Sequence, residues 1–151
     1  MIQPDKETVT LRRLFPAPAE KLFAAWTNPD QLSQWWGPPG SKVRSVSLDL
    51  RKGGRYRIGI KQPNGLTYFV YGVYTEIQRP EKLAFTWRWE QPKMDIGNSL
   101  VTIRFEPQAS ESGVSTAVIL THSQLPNDMA RSAHRQGWEG ILQNLAEYLQ
   151  G

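Results

Sequence analysis

At 151 residues with 39% apolar side chains, the chain is long enough for a single domain that buries roughly two-thirds of its unfolded surface. The absence of Cys removes disulfide stabilisation, thiolate metal sites and a Cys nucleophile, and the net charge of +4 permits an acidic partner without demanding one. No stretch approaches the roughly 20 apolar residues of a membrane span, and MIQPDKETVT lacks the apolar run of a signal peptide, so no membrane partner and a cytoplasmic location are expected.

In chain order, Glu7 to Phe15 alternates around Val9 and Leu11 and predicts a first strand, ended by Pro16 and Pro18. Pro18 to Trp26 predicts a short helix with Leu22, Phe23 and Trp26 on one side. Asn28-Pro29-Asp30-Gln31 begins a second short helix, with Asn28 as cap and Pro29 at the first helical position. Leu32, Trp35 and Trp36 give it an apolar face, and Gly37-Pro38-Pro39-Gly40 stops it. From Lys42 the period changes to two. Val46, Leu48 and Leu50 alternate with polar residues, Gly53-Gly54 marks a turn or bulge, and Tyr56, Ile58 and Ile60 alternate again.

Pro63-Asn64-Gly65 is a hairpin signal, followed by a long strand from Tyr68 to Gln78 in which Gly72 suggests a bulge. Arg79-Pro80-Glu81 turns the chain into a strand carrying Leu83, Phe85, Trp87 and Trp89 on one face. Gln91 to Gly97 reads as a loop able to act as a lid. Val101, Ile103 and Phe105 line the next strand, Ser110 to Gly113 turns, and Thr116, Val118, Leu120 and His122 share one phase of the last strand. Asn127 to Gln150 is the one long helix. Trp138, Ile141, Leu142, Leu145, Tyr148 and Leu149 form its apolar stripe, and Asn127 or Asp128 caps it. The order β, α, α, six β, α with short turns predicts an α+β fold, an antiparallel meander curved around the C-terminal helix.

Four motifs carry a resemblance over roughly Val9 to Leu149. They are Ala17-Pro18-Ala19-Glu20-Lys21-Leu22-Phe23, Trp35-Trp36-Gly37-Pro38, Asp49-Leu50-Arg51-Lys52-Gly53-Gly54 and His134-Arg135-Gln136-Gly137-Trp138. In this order they are similar to the activator of heat-shock-protein-90 ATPase homologue 1-like family of the START-like, or helix-grip, superfamily. The resemblance implies the helix-grip fold. The superfamily holds lipid and sterol carriers, polyketide cyclases, antibiotic-sequestering proteins and co-chaperone domains, so it leaves function open among these.

The candidate site follows from the alternation. Trp36, Tyr56, Ile58, Phe85, Trp87, Trp89, Ile103, Leu120 and His122 are expected to face the helix surface bearing His134, Trp138 and Leu142. Such a set either fills a core or lines a cavity for a hydrophobic or aromatic small molecule, and both readings stand on the sequence. Trp35 is expected to pin the short helices. His122 and His134 are expected to be hydrogen-bonded, partly buried residues; an enzyme in the same cavity would have only them as acid or base. Gly137 and Gly140 flank Trp138 and either admit a neighbouring backbone, the preferred reading, or leave room for a ligand. Arg51, Lys52, Arg55, Arg57 and Lys61 are expected on a solvated outer face, with no nucleic-acid motif beside them. The expectation is a binding protein without catalytic residues, metal or organic cofactor, monomeric or homodimeric, with a co-chaperone-type protein partner as the alternative.

Overall fold

The computed structural model describes residues 8–110 and 113–150. Seven strands and three helices follow one another as β1 (Val9–Phe15), α1 (Ala19–Thr27), α2 (Pro29–Trp35), β2 (Lys42–Leu48), β3 (Arg55–Lys61), β4 (Thr67–Gln78), β5 (Lys82–Trp89), β6 (Ser99–Ser110), β7 (Gly113–Ser123) and α3 (Asp128–Gln150). The strands form one antiparallel sheet in the order β1-β7-β6-β5-β4-β3-β2. Only the β1–β7 pairing joins strands distant in sequence; every other pair of neighbouring strands is consecutive in the chain. The strand expected from Glu7 has its described part at Val9–Phe15, with Glu7 itself outside the described residues. The turn expected at Ser110 to Gly113 likewise includes two residues, 111 and 112, that are not described.

Alternation decides which face is buried. Tyr56, Ile58 and Ile60 on β3, Leu83, Phe85 and Trp87 on β5, Val101, Ile103 and Phe105 on β6, and Val118, Leu120 and His122 on β7 are all buried. They meet Leu22, Phe23 and Trp26 of α1, Trp35 of α2, Trp36, and Trp138, Ile141, Leu142 and Leu145 of α3 in one core. The helix stripe therefore closes one face of the sheet.

The short helices are held by local chemistry. Asn28 Oδ1 accepts from the backbone N–H groups of Asp30 and Gln31 at 2.9 and 3.2 Å, the N-cap expected of Asn before Pro. Trp35 Nε1 donates to the Ala25 carbonyl at 3.2 Å and its ring meets Trp26 edge-on at 4.8 Å, so Trp35 ties α2 to α1. At Gly37, φ is +103°, a conformation that turns the chain sharply after Trp36.

Gly72 sits where β4 meets β5 irregularly. A Cβ there would lie 2.0 Å from the Thr86 carbonyl oxygen. The Val73 N–H is satisfied by Thr86 Oγ1 at 2.9 Å, and the freed Thr86 carbonyl accepts from Tyr56 Oη at 2.5 Å. The register shift itself falls two residues later, between Tyr74 and Glu76.

Candidate ligand-binding site

The space between sheet and helix is largely filled by rings. Trp138 lies 4.9 Å from Trp87, 5.7 Å from Trp36 and 6.3 Å from Trp26, centroid to centroid, and Trp36 lies 6.0 Å from Trp87. Two of the spaces beside this cluster are each lined by several of the candidate residues. One is an interior void of about 20 Å³ bounded by Trp26, Leu32, Trp36, Leu48, Tyr56, Ile58, Tyr74, Leu83 and Phe85. That is room for a water molecule, not for an organic ligand. Its two phenols stay protonated: burial pushes both upward, with a smaller push from the adjoining Tyr74 on Tyr56 and from the Asp49 carboxylate on Tyr74.

The second space is a cleft of about 430 Å³, within the size range of small-molecule sites. Trp36, Trp87, Trp89, Trp138, Ile60 and Ile141 form its floor and inner walls. The 91–97 loop contributes Lys93, Met94 and Ile96, and the first turns of α3 contribute Asn127, Met129, Ala130, Ala133, His134 and Gly137; Pro38 and Gln62 close the remaining side. Met129 is 82% exposed at the rim, a pliable thioether where an apolar molecule would enter. The loop wall is fixed near its ends. Gln91 Oε1 accepts from the Phe69 N–H at 3.1 Å, and Asp95 pairs with Arg88 in a bidentate contact at 3.0 and 3.1 Å.

The candidate residues thus divide by place. Trp36, Trp87, Trp89, His134 and Trp138 come together in the cleft. Tyr56, Ile58 and Phe85 border the small void, which Trp36 also touches. Ile103, Leu120, His122 and Leu142 are buried in the core and line neither space. The cleft residues outside that sequence-derived set come from the loop and the start of α3. Met94 and Ile96 stand out in the sequence only as apolar residues in a loop, and Asn127 only as a cap.

The two helix glycines play opposite parts. A Cβ on Gly140 would meet Pro39 Cδ at 2.6 Å, so this glycine seats the 36–40 turn on α3, where Asn144 Nδ2 also donates to the Gly37 carbonyl at 2.7 Å. A Cβ on Gly137 would meet nothing within 4 Å, because it opens on the cleft. Gly140→Ala is therefore expected to lower the melting temperature. Gly137→Ala is expected to raise it, by the roughly 1 kcal/mol that helix propensity gives Ala over Gly. Thermal melts of the two variants check the opposite signs.

The histidines are locked by their partners. Trp138 Nε1 donates to His122 Nδ1 at 3.0 Å, which leaves the His122 proton on Nε2 facing Ser99 Oγ at 2.7 Å; Ser99 in turn donates to the Trp87 carbonyl at 3.0 Å. Trp89 Nε1 donates to His134 Nε2 at 3.2 Å, so His134 carries its proton on Nδ1 and gives it to the Ala130 carbonyl at 2.8 Å. Burial drives His122 down to about 3, helped by His134 5.0 Å away, and lowers His134 against the opposing bond to Ala130. Both rings are neutral at pH 7. All four of their nitrogens are engaged, so neither offers a free acceptor to a molecule in the cleft. Among the described residues no group of three or more His, Cys, Asp or Glu is placed to hold a metal ion.

On the outer face, the cationic stretch is partly neutralised. Arg57 forms a bidentate pair with Glu90 at 2.6 and 2.9 Å and lies over the Phe69 ring at 3.7 Å, and Arg51 pairs with Asp49 at 2.9 Å. Among the described residues no helix is long and apolar enough to cross a membrane.

An antiparallel sheet gripping a long C-terminal helix, with two short helices after the first strand and a cleft at one end, defines a helix-grip protein. The chain belongs to the family described as activator of Hsp90 ATPase homolog 1-like protein, whose model matches residues 16–150. A crystal structure of the AHSA1 protein from Silicibacter pomeroyi is similar, with 31% identity, a TM-score of 0.81, and 95% of this chain and 97% of that one covered. A protein from Chromobacterium violaceum, 23% identical, has the same fold, with a TM-score of 0.81 and 96% and 98% covered. CalU16 from Micromonospora echinospora, also 23% identical, matches over 93% of this chain and 74% of its own at a TM-score of 0.68. Among curated proteins none matches significantly.

Proposed function

We propose that the chain is a small-molecule binding protein that takes a hydrophobic or aromatic ligand into the cleft between β5, the 91–97 loop and the N-terminal half of α3. The observation that carries this reading is the cleft itself: about 430 Å³ walled by four tryptophans, with Gly137 facing open space in the middle of a helix. A helix glycine costs about 1 kcal/mol against Ala, and here no neighbouring backbone requires it. Binding would work by burial, roughly 25 cal/mol for each Å² of apolar surface taken out of water. The engaged histidines favour holding a molecule over transferring a proton.

The test is titration with N-phenyl-1-naphthylamine, a neutral hydrophobic fluorophore, against the native chain and Gly137→Leu. The expected result is one site per chain, with a change in Trp emission and a melting temperature raised by mass action. In Gly137→Leu the side chain enters the cleft, so binding should fall at least about tenfold while the variant melts no lower than the native chain. Undiminished binding by that variant would remove the cleft as the site. The family description makes a co-chaperone-type protein contact the second reading. It would use the outer surface, where Glu90 and Asp49 already engage Arg57 and Arg51.

A further inference from the structure

The polar groups of the cleft are unequal in kind, and this inequality selects a ligand. We infer, on the reading that the cleft is a ligand site, that its natural ligand is an organic anion: an apolar body carrying a carboxylate or similar acceptor head directed at Lys93 and Asn127. Among the described residues Lys93 is the only charged one lining the cleft, and no described carboxylate shares that lining. Asn127 spends its acceptor on the helix, since its Oδ1 takes the Ala130 N–H at 2.8 Å; what remains of its amide is the donating NH₂ group. His134 has no acceptor left, because its Nε2 takes the Trp89 N–H.

Deeper down, the indole N–H groups of Trp36 and Trp87 have no acceptor among the described residues, but both nitrogens are closed off from the cleft and lie out of a ligand's reach. Gln62 is the one lining residue whose side-chain acceptor is not committed in a described hydrogen bond. Among the described residues the cleft therefore offers a ligand the donors of Lys93, Asn127 and Gln62 against one uncommitted amide acceptor, that of Gln62. An anionic head supplies what it lacks, a neutral head supplies it in part, and an ammonium head would bring more donors and a repelled charge to a wall that already has both.

The experiment is displacement of N-phenyl-1-naphthylamine by three ligands of one shape: 2-naphthoate, 2-naphthylmethanol and 2-naphthylmethylammonium, at pH 7.5 and low salt. The expected order is carboxylate, alcohol, ammonium, with the carboxylate about three- to tenfold tighter than the alcohol. In Lys93→Gln the carboxylate should lose most of that advantage while the alcohol keeps its affinity. Raising salt should weaken the carboxylate alone. Equal affinities across the series, or an advantage that survives Lys93→Gln, overturns the anion inference and leaves the cleft standing. If neither the fluorophore nor any of the three binds, the cleft reading falls and takes this inference with it.

Discussion

Trp138→Ala is expected to cost about 3–5 kcal/mol of stability, a large fraction of what a domain of this size has in total. Trp138 is 1% exposed, and its ring stands against Trp26, Trp36 and Trp87 at the centre of the aromatic cluster. Removing it leaves a hole among rigid rings that cannot collapse into it, the condition under which large-to-small changes cost most. It also strips His122 Nδ1 of its donor, leaving a buried acceptor unpaired. Urea denaturation gives the cost as a lowered midpoint at constant slope. Trp138→Phe separates the two contributions: it keeps most of the volume, loses the N–H, and should cost clearly less. A Trp138→Ala variant that melts with the native chain would mean that this ring is not part of the core.

How much of this was readable beforehand depends on what each feature requires. Alternation on β3, β5, β6 and β7 is a property of the backbone, so the inward rows from Tyr56 to His122 follow from residue spacing alone, as does the stripe from Trp138 to Leu145. Where the empty space lies is not a property of spacing. It depends on how Trp36, Trp87 and Trp138 fill the volume they share, which is set by their side-chain torsions and by the approach of the 36–40 turn. The rings close the middle of the grip and leave the opening at one end, beside a loop that has no periodicity to read. Gly137 and Gly140 look alike in sequence, three residues apart on one helix. Only the atom opposite each tells them apart: Pro39 for Gly140, and nothing for Gly137. The histidines could be read as buried and bonded, but their partners could not. Ser99 lies 23 residues from His122, and Trp89 lies 45 from His134.

Mild acid should destabilise the fold through His122 before the carboxylates begin to titrate. In the unfolded chain a His binds its proton near pH 6.5, whereas the native environment holds His122 near 3. Below pH 6.5 the unfolded state therefore takes up a proton that the native state refuses, and stability falls as pH falls. The slope approaches 1.4 kcal/mol per pH unit, so His122 alone should remove roughly 3 kcal/mol by pH 4. His134, lowered in the same direction, adds to the loss. Glu90 and Asp95, whose carboxyls are held below their usual range by hydrogen bonds from Arg57 and Arg88, contribute only at lower pH, so the interval from pH 6.5 to 5 isolates the histidines. The native imidazole cannot charge without giving up one of its bonds. Protonating Nδ1 would turn it from the acceptor of the Trp138 N–H into a second donor aimed at that N–H, in a site where burial and the neighbouring His134 both oppose the charge. Chemical denaturation at half-unit steps of pH should show this slope in the native chain. His122→Leu should lower stability at pH 7, because Trp138 and Ser99 lose their partner, yet flatten the dependence between pH 6.5 and 5. An unchanged slope in that variant would assign the acid sensitivity to other groups, and a ring carbon shift of His122 that titrates near 6.5 would show that the imidazole is reached by water after all.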